Sequence, residues 1–297
     1  MKVEELKKIT VLGAGIMGSG IAEVCARANL KVYMTDLTND LISRGLDKIK
    51  MSLSKATEKG KLSKEDANAT VANIKVTTDM REACRDTDVV IEATPEELEL
   101  KRRIFKQLDG LCPQQSIFAT NTSGIMVTDI ASATSKPELV IGMHFFNPPP
   151  VMKLIEVVRG ALTSDETFSF IMEFSKKLGK IPISAADGPG FFTTRYIACW
   201  ITDAVRLFEQ GVASIKDIDS MSKMAFNWPM GPFELADFVG LDTLLHIANY
   251  LYDELGEPRY APPLIIKKLV KSGFIGNPRV KAGSKGGFYE YYNISRE

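Results

Sequence analysis

The chain reads as a two-part α/β protein: a Rossmann-type, mainly parallel sheet domain over residues 1–186, followed by a smaller all-α domain over 187–297. Three observations predict this. Short apolar runs alternate with helical spacing through the first part, the pattern of an open parallel sheet with crossover helices. The first run, Ile9 to Leu12, leads directly into Gly13-Ala14-Gly15-Ile16-Met17-Gly18. Beyond Asp187-Gly188-Pro189-Gly190 the strand-like runs stop, and apolar residues recur at helical spacing only.

The glycine run is a G-x-G-x-x-G between a strand and a helix, the context in which it binds a dinucleotide. Gly13 permits the tight turn, Gly15 lets the backbone approach a pyrophosphate, and Gly18 lets the helix pack closely on the sheet. The helix start, at Ile16 and Met17, offers N–H donors and a positive dipole end to the phosphates. A second strand, Lys31 to Thr35, ends in Asp36. An acid at that distance accepts hydrogen bonds from the ribose hydroxyls and repels a 2′-phosphate, so NAD is the expected cofactor rather than NADP.

Residues 40–71 read as an extended, polar helical excursion whose lysines include Lys48, Lys50 and Lys55. These either meet an anionic group such as a nucleotide phosphate or form a solvated face. The next strand, Asp88 to Ala93, empties into Thr94-Pro95-Glu96-Glu97, a helix start with acids in its first turn. Strand 116–120 delivers Asn121-Thr122-Ser123-Gly124 to the same crevice, where Ser123 is a helix cap or a hydrogen-bonding partner for a substrate oxygen. An apolar run then ends in His144, one of only two histidines, and Glu156 sits inside a further apolar run. Burying a carboxylate without a partner is costly, so either Glu156 orients and compensates the imidazole of His144 or it faces solvent on an edge strand beside a packed histidine. A helix from 166 to 178 and a strand from 181 to 184 close the first domain.

In the last third, one long helix from about 190 to 209 is followed by a helix capped by Ser214 and running to Met224, a rigid turn at Trp228 to Pro232, and helices 233–239, 241–255 and 264–271. His246 lies within one of them and reads as a packing or surface residue. A helical domain this rich in apolar faces suits a subunit interface, and a homodimer is expected. Lys plus Arg balance Asp plus Glu at 37 each, so net charge points to no nucleic-acid partner. The four cysteines are widely spaced without a C-x-x-C pair, which fits neither a metal site nor a disulfide framework and indicates free thiols in a reducing, cytoplasmic setting. No apolar run approaches the roughly 18 residues of a membrane span.

Taken together, GAGIMG, Asp36, NTSG (121–124), HFFNPP (144–149), KLIEVV (153–158), GPGFFTTR (188–195) and WPMGPFELADFVGLD (228–242) resemble, along essentially the whole chain, the NAD-dependent 3-hydroxyacyl-CoA dehydrogenases, specifically their short 3-hydroxybutyryl-CoA type. The resemblance implies an oxidoreductase interconverting 3-hydroxyacyl-CoA and 3-oxoacyl-CoA. It assigns His144 as proton carrier, Glu156 as its orienting partner, and Ser123 as a contact to the substrate oxygen. It places Glu96 and Lys101, with Asn121 and Asn147, at the cofactor side of the site. Thr194 stands in the slot where most members carry a substrate-contacting Asn, and Gly124 replaces a commoner Ser. The coenzyme A end has candidate partners in Lys48, Lys50 and Lys55. A relative acting on a free hydroxy or sugar acid, or a non-catalytic NAD-binding protein, would share much of this pattern.

Overall fold

Eight strands form a single sheet in the computed structural model, which describes residues 2–296. They are β1 (Lys8–Leu12), β2 (Lys31–Thr35), β3 (Ile74–Thr77), β4 (Val89–Glu92), β5 (Ile117–Thr120), β6 (Val140–Phe145), β7 (Leu154–Arg159) and β8 (Ile181–Ala186), in the order β3-β2-β1-β4-β5-β6-β7-β8. β1 to β6 run parallel; β7 turns back antiparallel to β6, and β8 runs parallel to β7. The intervening helices are α1 (Ile16–Arg27), α2 (Asn39–Glu58), α3 (Lys64–Ala72), α4 (Met80–Cys84), α5 (Leu98–Leu111), α6 (Val127–Ala131) and α7 (Asp165–Lys177).

Helices cover both faces of the sheet, which is why its central strands read as unbroken apolar runs rather than alternating ones. Val11, Val32, Ile91, Ala119 and Met143 pack on one face with Ile21, Ile49 and Phe174. Val90, Phe118, Val140 and Val158 pack on the other with Phe105, Leu108 and Val127. The two-residue period of a strand then puts Glu92, Thr120, His144 and Glu156 on that second face, beside these four residues. Polar groups thus gather at the rim of an apolar layer.

The structure departs from the sequence reading in several places. β3 was not anticipated; its Ile-Lys-Val-Thr lies at the sheet edge, part-exposed throughout, and lacks the apolar run that marks the inner strands. The helical excursion is two helices, broken at Gly60, whose φ of 65° turns the chain between α2 and α3. The first compact unit ends at Phe191 rather than after residue 186. Asp187 explains the shift: its carboxylate accepts from the N–H groups of Val127 and Thr128, both at 2.8 Å, and Gly190 N–H donates to the Gly124 carbonyl at 2.8 Å. Those bonds bind the glycine-proline break to the sheet unit.

The second unit, from Phe192, is helical: α8 (Thr193–Glu209), α9 (Ile215–Phe226), α10 (Pro232–Val239), α11 (Leu241–Leu255), α12 (Leu264–Lys271) and α13 (Phe288–Tyr291). His246 is exposed on α11. Two buried aspartates bind the unit together. Asp219 accepts from the N–H groups of Phe233 and Glu234, which start α10, and from the Tyr289 hydroxyl at 2.7 Å. Asp237 accepts from the N–H groups of Phe288 and Tyr289 and pairs with Arg296. The glycine of the MGPFEL run is needed for this approach, because a Cβ on Gly231 would collide with Asp219. Among the described residues, no helix is long and apolar enough to cross a membrane.

Burial pushes the Asp219 carboxyl up to about 6, against the lowering effect of its three donors. The folded unit therefore holds this proton more tightly than the unfolded chain, so the contribution of Asp219 to stability is fully present below the ordinary carboxyl range and is lost as pH rises through about 6. Tryptophans 200 and 228 both lie in this unit and report its unfolding by fluorescence. We expect the urea midpoint to fall between pH 5 and pH 7.5, by on the order of 2 kcal/mol of stability. Asp219→Asn should flatten that dependence; an unchanged slope would refute the assignment.

Candidate active site

The glycine loop after β1 has three glycines with three different constraints. Gly13 sits at φ 100°, and a Cβ there would lie 2.6 Å from the Ala93 carbonyl oxygen. A Cβ on Gly18 would collide with the Gly13 carbonyl. At Gly15, by contrast, a Cβ would meet nothing within 4 Å, so this backbone borders open space. That is the cradle a pyrophosphate needs, facing the first-turn N–H groups of α1 around Ile16 and Met17, which have no acceptor four residues back. Asp36 ends β2 and clamps the loop: its Oδ2 accepts from Ala14 N–H and its Oδ1 from Leu37 N–H, both at 2.7 Å. A carboxylate retains lone pairs for further donors, so the residues present fit a dinucleotide whose ribose reaches Asp36.

His144 and Glu156 are directly opposite each other in the antiparallel pairing of β6 with β7. Cross-strand partners share a face, which brings their side chains together. His144 Nδ1 lies 3.0 Å from Glu156 Oε2, and the two residues are 6% and 3% exposed. The ring also packs against Phe146, with centroids 4.5 Å apart, and Phe191, at 6.2 Å. With Nδ1–H held by the carboxylate, the imidazole keeps Nε2 as an acceptor. The solvent-facing alternative for Glu156 is thereby removed.

A second charged cluster lies behind the NTSG loop. Glu92, fully buried at the end of β4, accepts from Lys101 Nζ at 2.8 Å, from Thr120 Oγ1 at 2.7 Å, and from the N–H and hydroxyl of Thr94. Lys101 Nζ also stands 3.4 Å from Glu96 Oε2. Glu96 Oε1 in turn accepts from Thr122 Oγ1 and from the N–H groups of Ser123 and Gly124. Burial alone would raise the Glu96 carboxyl, but Lys101 and these three donors outweigh it and hold it below its ordinary value. Glu96 therefore fixes the backbone that carries Ser123. Lys101 is only 1% exposed, so its ammonium backs the crevice through Glu92 and Glu96 instead of lining it as expected. The Asn121 side chain accepts from Phe145 N–H at 2.8 Å, securing β6 immediately after His144.

The turn between β6 and β7 carries Asn147, exposed and joined to Pro148 by a cis peptide. Lys180 anchors it, donating to the carbonyls of Pro149 at 2.5 Å and Met152 at 2.8 Å. This turn, with Ile16, Glu23, Lys48 and Ser52, lines a pocket of about 190 Å³. The three candidate lysines therefore separate: Lys48 lines this pocket, Lys50 lines a different groove between α2 and α3, and Lys55 lines neither. Thr194 lies in the first turn of α8, in the helical unit. Sequence reasoning missed Glu92, Lys180 and Asp187. Glu92 alone left a trace, as an acid inside an apolar run.

Residues 8–188 match the NAD-binding domain of 3-hydroxyacyl-CoA dehydrogenases, and residues 190–291 match their C-terminal domain. The chain is 42% identical to a probable 3-hydroxybutyryl-CoA dehydrogenase of Bacillus subtilis, over 97% of this chain and 98% of that one. It is 40% identical to the human mitochondrial hydroxyacyl-coenzyme A dehydrogenase, over 96% of this chain and 91% of that one. Its fold is similar to the crystal structure of (S)-3-hydroxybutyryl-CoA dehydrogenase from Ralstonia eutropha, with a TM-score of 0.89 and 38% identity, covering 95% of this chain and 100% of that one.

Proposed function

The chain belongs to the 3-hydroxyacyl-CoA dehydrogenase family, and from that premise we propose that it interconverts a short-chain 3-hydroxyacyl-CoA, such as 3-hydroxybutyryl-CoA, and its 3-oxoacyl-CoA with NAD and NADH. The observation that carries this reading is the buried His144–Glu156 pair at the rim of the cofactor sheet. A nicotinamide cofactor held with its pyrophosphate on the Gly13 to Gly18 loop and its ribose at Asp36 would supply the hydride acceptor for oxidation and the hydride donor for reduction. His144 Nε2 takes the proton from the 3-hydroxyl as the C–H bond breaks, and returns it in the reverse direction. Glu156 holds the ring by Nδ1–H and offsets the charge the imidazole gains. The Ser123 hydroxyl, its backbone fixed by Glu96, hydrogen-bonds the substrate oxygen.

The test is NADH oxidation with acetoacetyl-CoA beside free acetoacetate, and with NADPH in place of NADH. We expect turnover that requires both the coenzyme A thioester and NADH. Absence of turnover across all acyl-CoA chain lengths would sink the proposal, and equal rates with the free acid would favour a hydroxy-acid dehydrogenase.

Lys48 is the lysine we assign to the phosphates of coenzyme A, because it shares a pocket with Ser52 and the Asn147 to Pro150 turn. Lys48→Ala should raise KM for acetoacetyl-CoA by about tenfold, one lost charge-assisted contact, with KM for NADH unchanged. Lys50→Ala and Lys55→Ala should leave both constants alone; a larger effect at Lys50 would move the site to the other groove.

A homodimer through the helical unit is supported by its exposed apolar residues, among them Leu207, Val212, Met221, Phe226 and Met224, the last 79% exposed. Sedimentation should give twice the chain mass, and Met224→Glu should weaken the dimer. A wild-type monomer at micromolar concentration would rule the interface out.

A further inference from the structure

Glu23 lies in the interior of α1, 1% exposed, and the proton transfer makes no use of it. Among the described residues its Oε1 has no hydrogen-bond partner. A carboxylate oxygen buried in that state is costly, because nothing replaces the donors it had in water. Arg27, one turn further along α1, is not the replacement: its Nη1 lies 3.8 Å from Oε1, close enough to offset charge and too far for a hydrogen bond. Burial pushes the Glu23 carboxyl up, and Ser52, Arg27 and Lys180 together do not bring it back. What the oxygen lacks is a donor.

Glu23 lines the pocket of about 190 Å³ shared by α1, α2 and the Asn147 to Pro150 turn. The turn closes on α1 so tightly that a Cβ on Gly20 would lie 2.8 Å from Pro149 Cδ. Ile16, Ile49 and Pro148 give the pocket apolar walls, while α2 adds Lys48 and Ser52. Sites that enclose a whole drug-sized ligand run to roughly 300–1,000 Å³, so this one suits a segment of a longer molecule. Arg27, Lys48 and Lys180 already place three cations around it, which disfavours a cationic occupant and favours a neutral donor. An acyl-CoA has such a segment: between its phosphates and its thioester, the pantetheine arm carries two secondary amides, each with an N–H. We propose that Glu23 Oε1 accepts a hydrogen bond from one of these amide N–H groups and so helps to select the arm of the substrate. The inference rests on the acyl-CoA reading above, in which Lys48 meets the phosphates of the same molecule. Lys48 then holds the charged end and Glu23 the neutral arm, beside a turn that joins the strands of His144 and Glu156.

The experiment compares acetoacetyl-CoA with two analogues in which one or the other pantetheine amide N–H is replaced by an ester oxygen. In the wild type, one analogue should raise KM about tenfold, the loss of one charge-assisted hydrogen bond. Glu23→Met, close to Glu in length, should raise KM for acetoacetyl-CoA by a similar factor and no longer respond to that exchange. KM for NADH should not move, which a general loosening of α1 would not allow. Should Glu23→Met fail to fold, Glu23→Gln keeps a neutral acceptor and should raise KM about threefold, since a hydrogen bond to a neutral group has roughly half the strength. A variant that keeps the wild-type response to both analogues overturns the proposal, and so does a wild type indifferent to both. Dissociation constants of the same ligands, by calorimetry, make the comparison without turnover. No turnover with acetoacetyl-CoA sinks the dehydrogenase reading, whereas binding that ignores both exchanges sinks the pantetheine contact alone.

Discussion

Replacing His144 by Gln should lower kcat by about three orders of magnitude in both directions, within the range that a positioned acid–base group contributes. Gln fits the same strand position and keeps a hydrogen-bonding amide, so β6 and its pairing with β7 persist; what disappears is a group that can take up and return a proton. The cofactor loop draws on β1, β2 and α1, so NADH binding, read by fluorescence, should stay within about twofold of wild type. A variant with low kcat and intact NADH affinity localises the defect to proton transfer. Undiminished turnover would remove His144 from that role.

Glu156→Gln should cost about two to three orders of magnitude in kcat, an effect of the size seen when one electrostatic partner of a transition state is removed. The reason differs from that at His144. Gln can still accept the Nδ1–H bond, but it carries no charge against the imidazolium that forms as the 3-hydroxyl is deprotonated, and this buried pair has little solvent to replace it. Urea unfolding serves as the control, since loss of charge in a buried pair also alters stability. Wild-type kcat would reduce Glu156 to a packing residue.

Local pattern carried the inner part of the fold. The G-x-G-x-x-G loop, Asp36 and the apolar runs at β4, β5 and β6 are each legible because period, turn chemistry and spacing act over neighbouring residues. β3 was not legible, because an edge strand of two apolar and two polar residues carries no such period. The site divides similarly. His144 and Glu156 stood out as chemically odd residues in apolar surroundings, and their pairing followed once the strands became partners. The Glu92–Lys101–Glu96 cluster could not be assembled from spacing, because it needs the end of β4, the first turns of α5 and the loop after β5 in one place. Lys101 illustrates the difference between proximity and contact: it belongs to the crevice region but is walled off by two carboxylates. Lys48 and Lys50 are two residues apart, so a helix turns them to different sides. Only the position of the Asn147 to Pro150 turn indicates which of the two grooves borders the His144 hairpin.

The hairpin that brings His144 to Glu156 also sets what variation its turn can tolerate. Slipping β7 by one residue against β6 would rotate the carboxylate to the opposite face, while slipping it by two would set Leu154 or Val158 against the imidazole. No slip of either size leaves an acid in place, because Glu156 is the one carboxylate in the strand. Substitutions at Asn147 to Pro150 change the pocket wall, whereas an insertion or deletion that shifts the register of β7 removes the proton carrier's partner. Among descendants of this chain, that segment is therefore free to diverge in composition while the register of the two strands it joins is held.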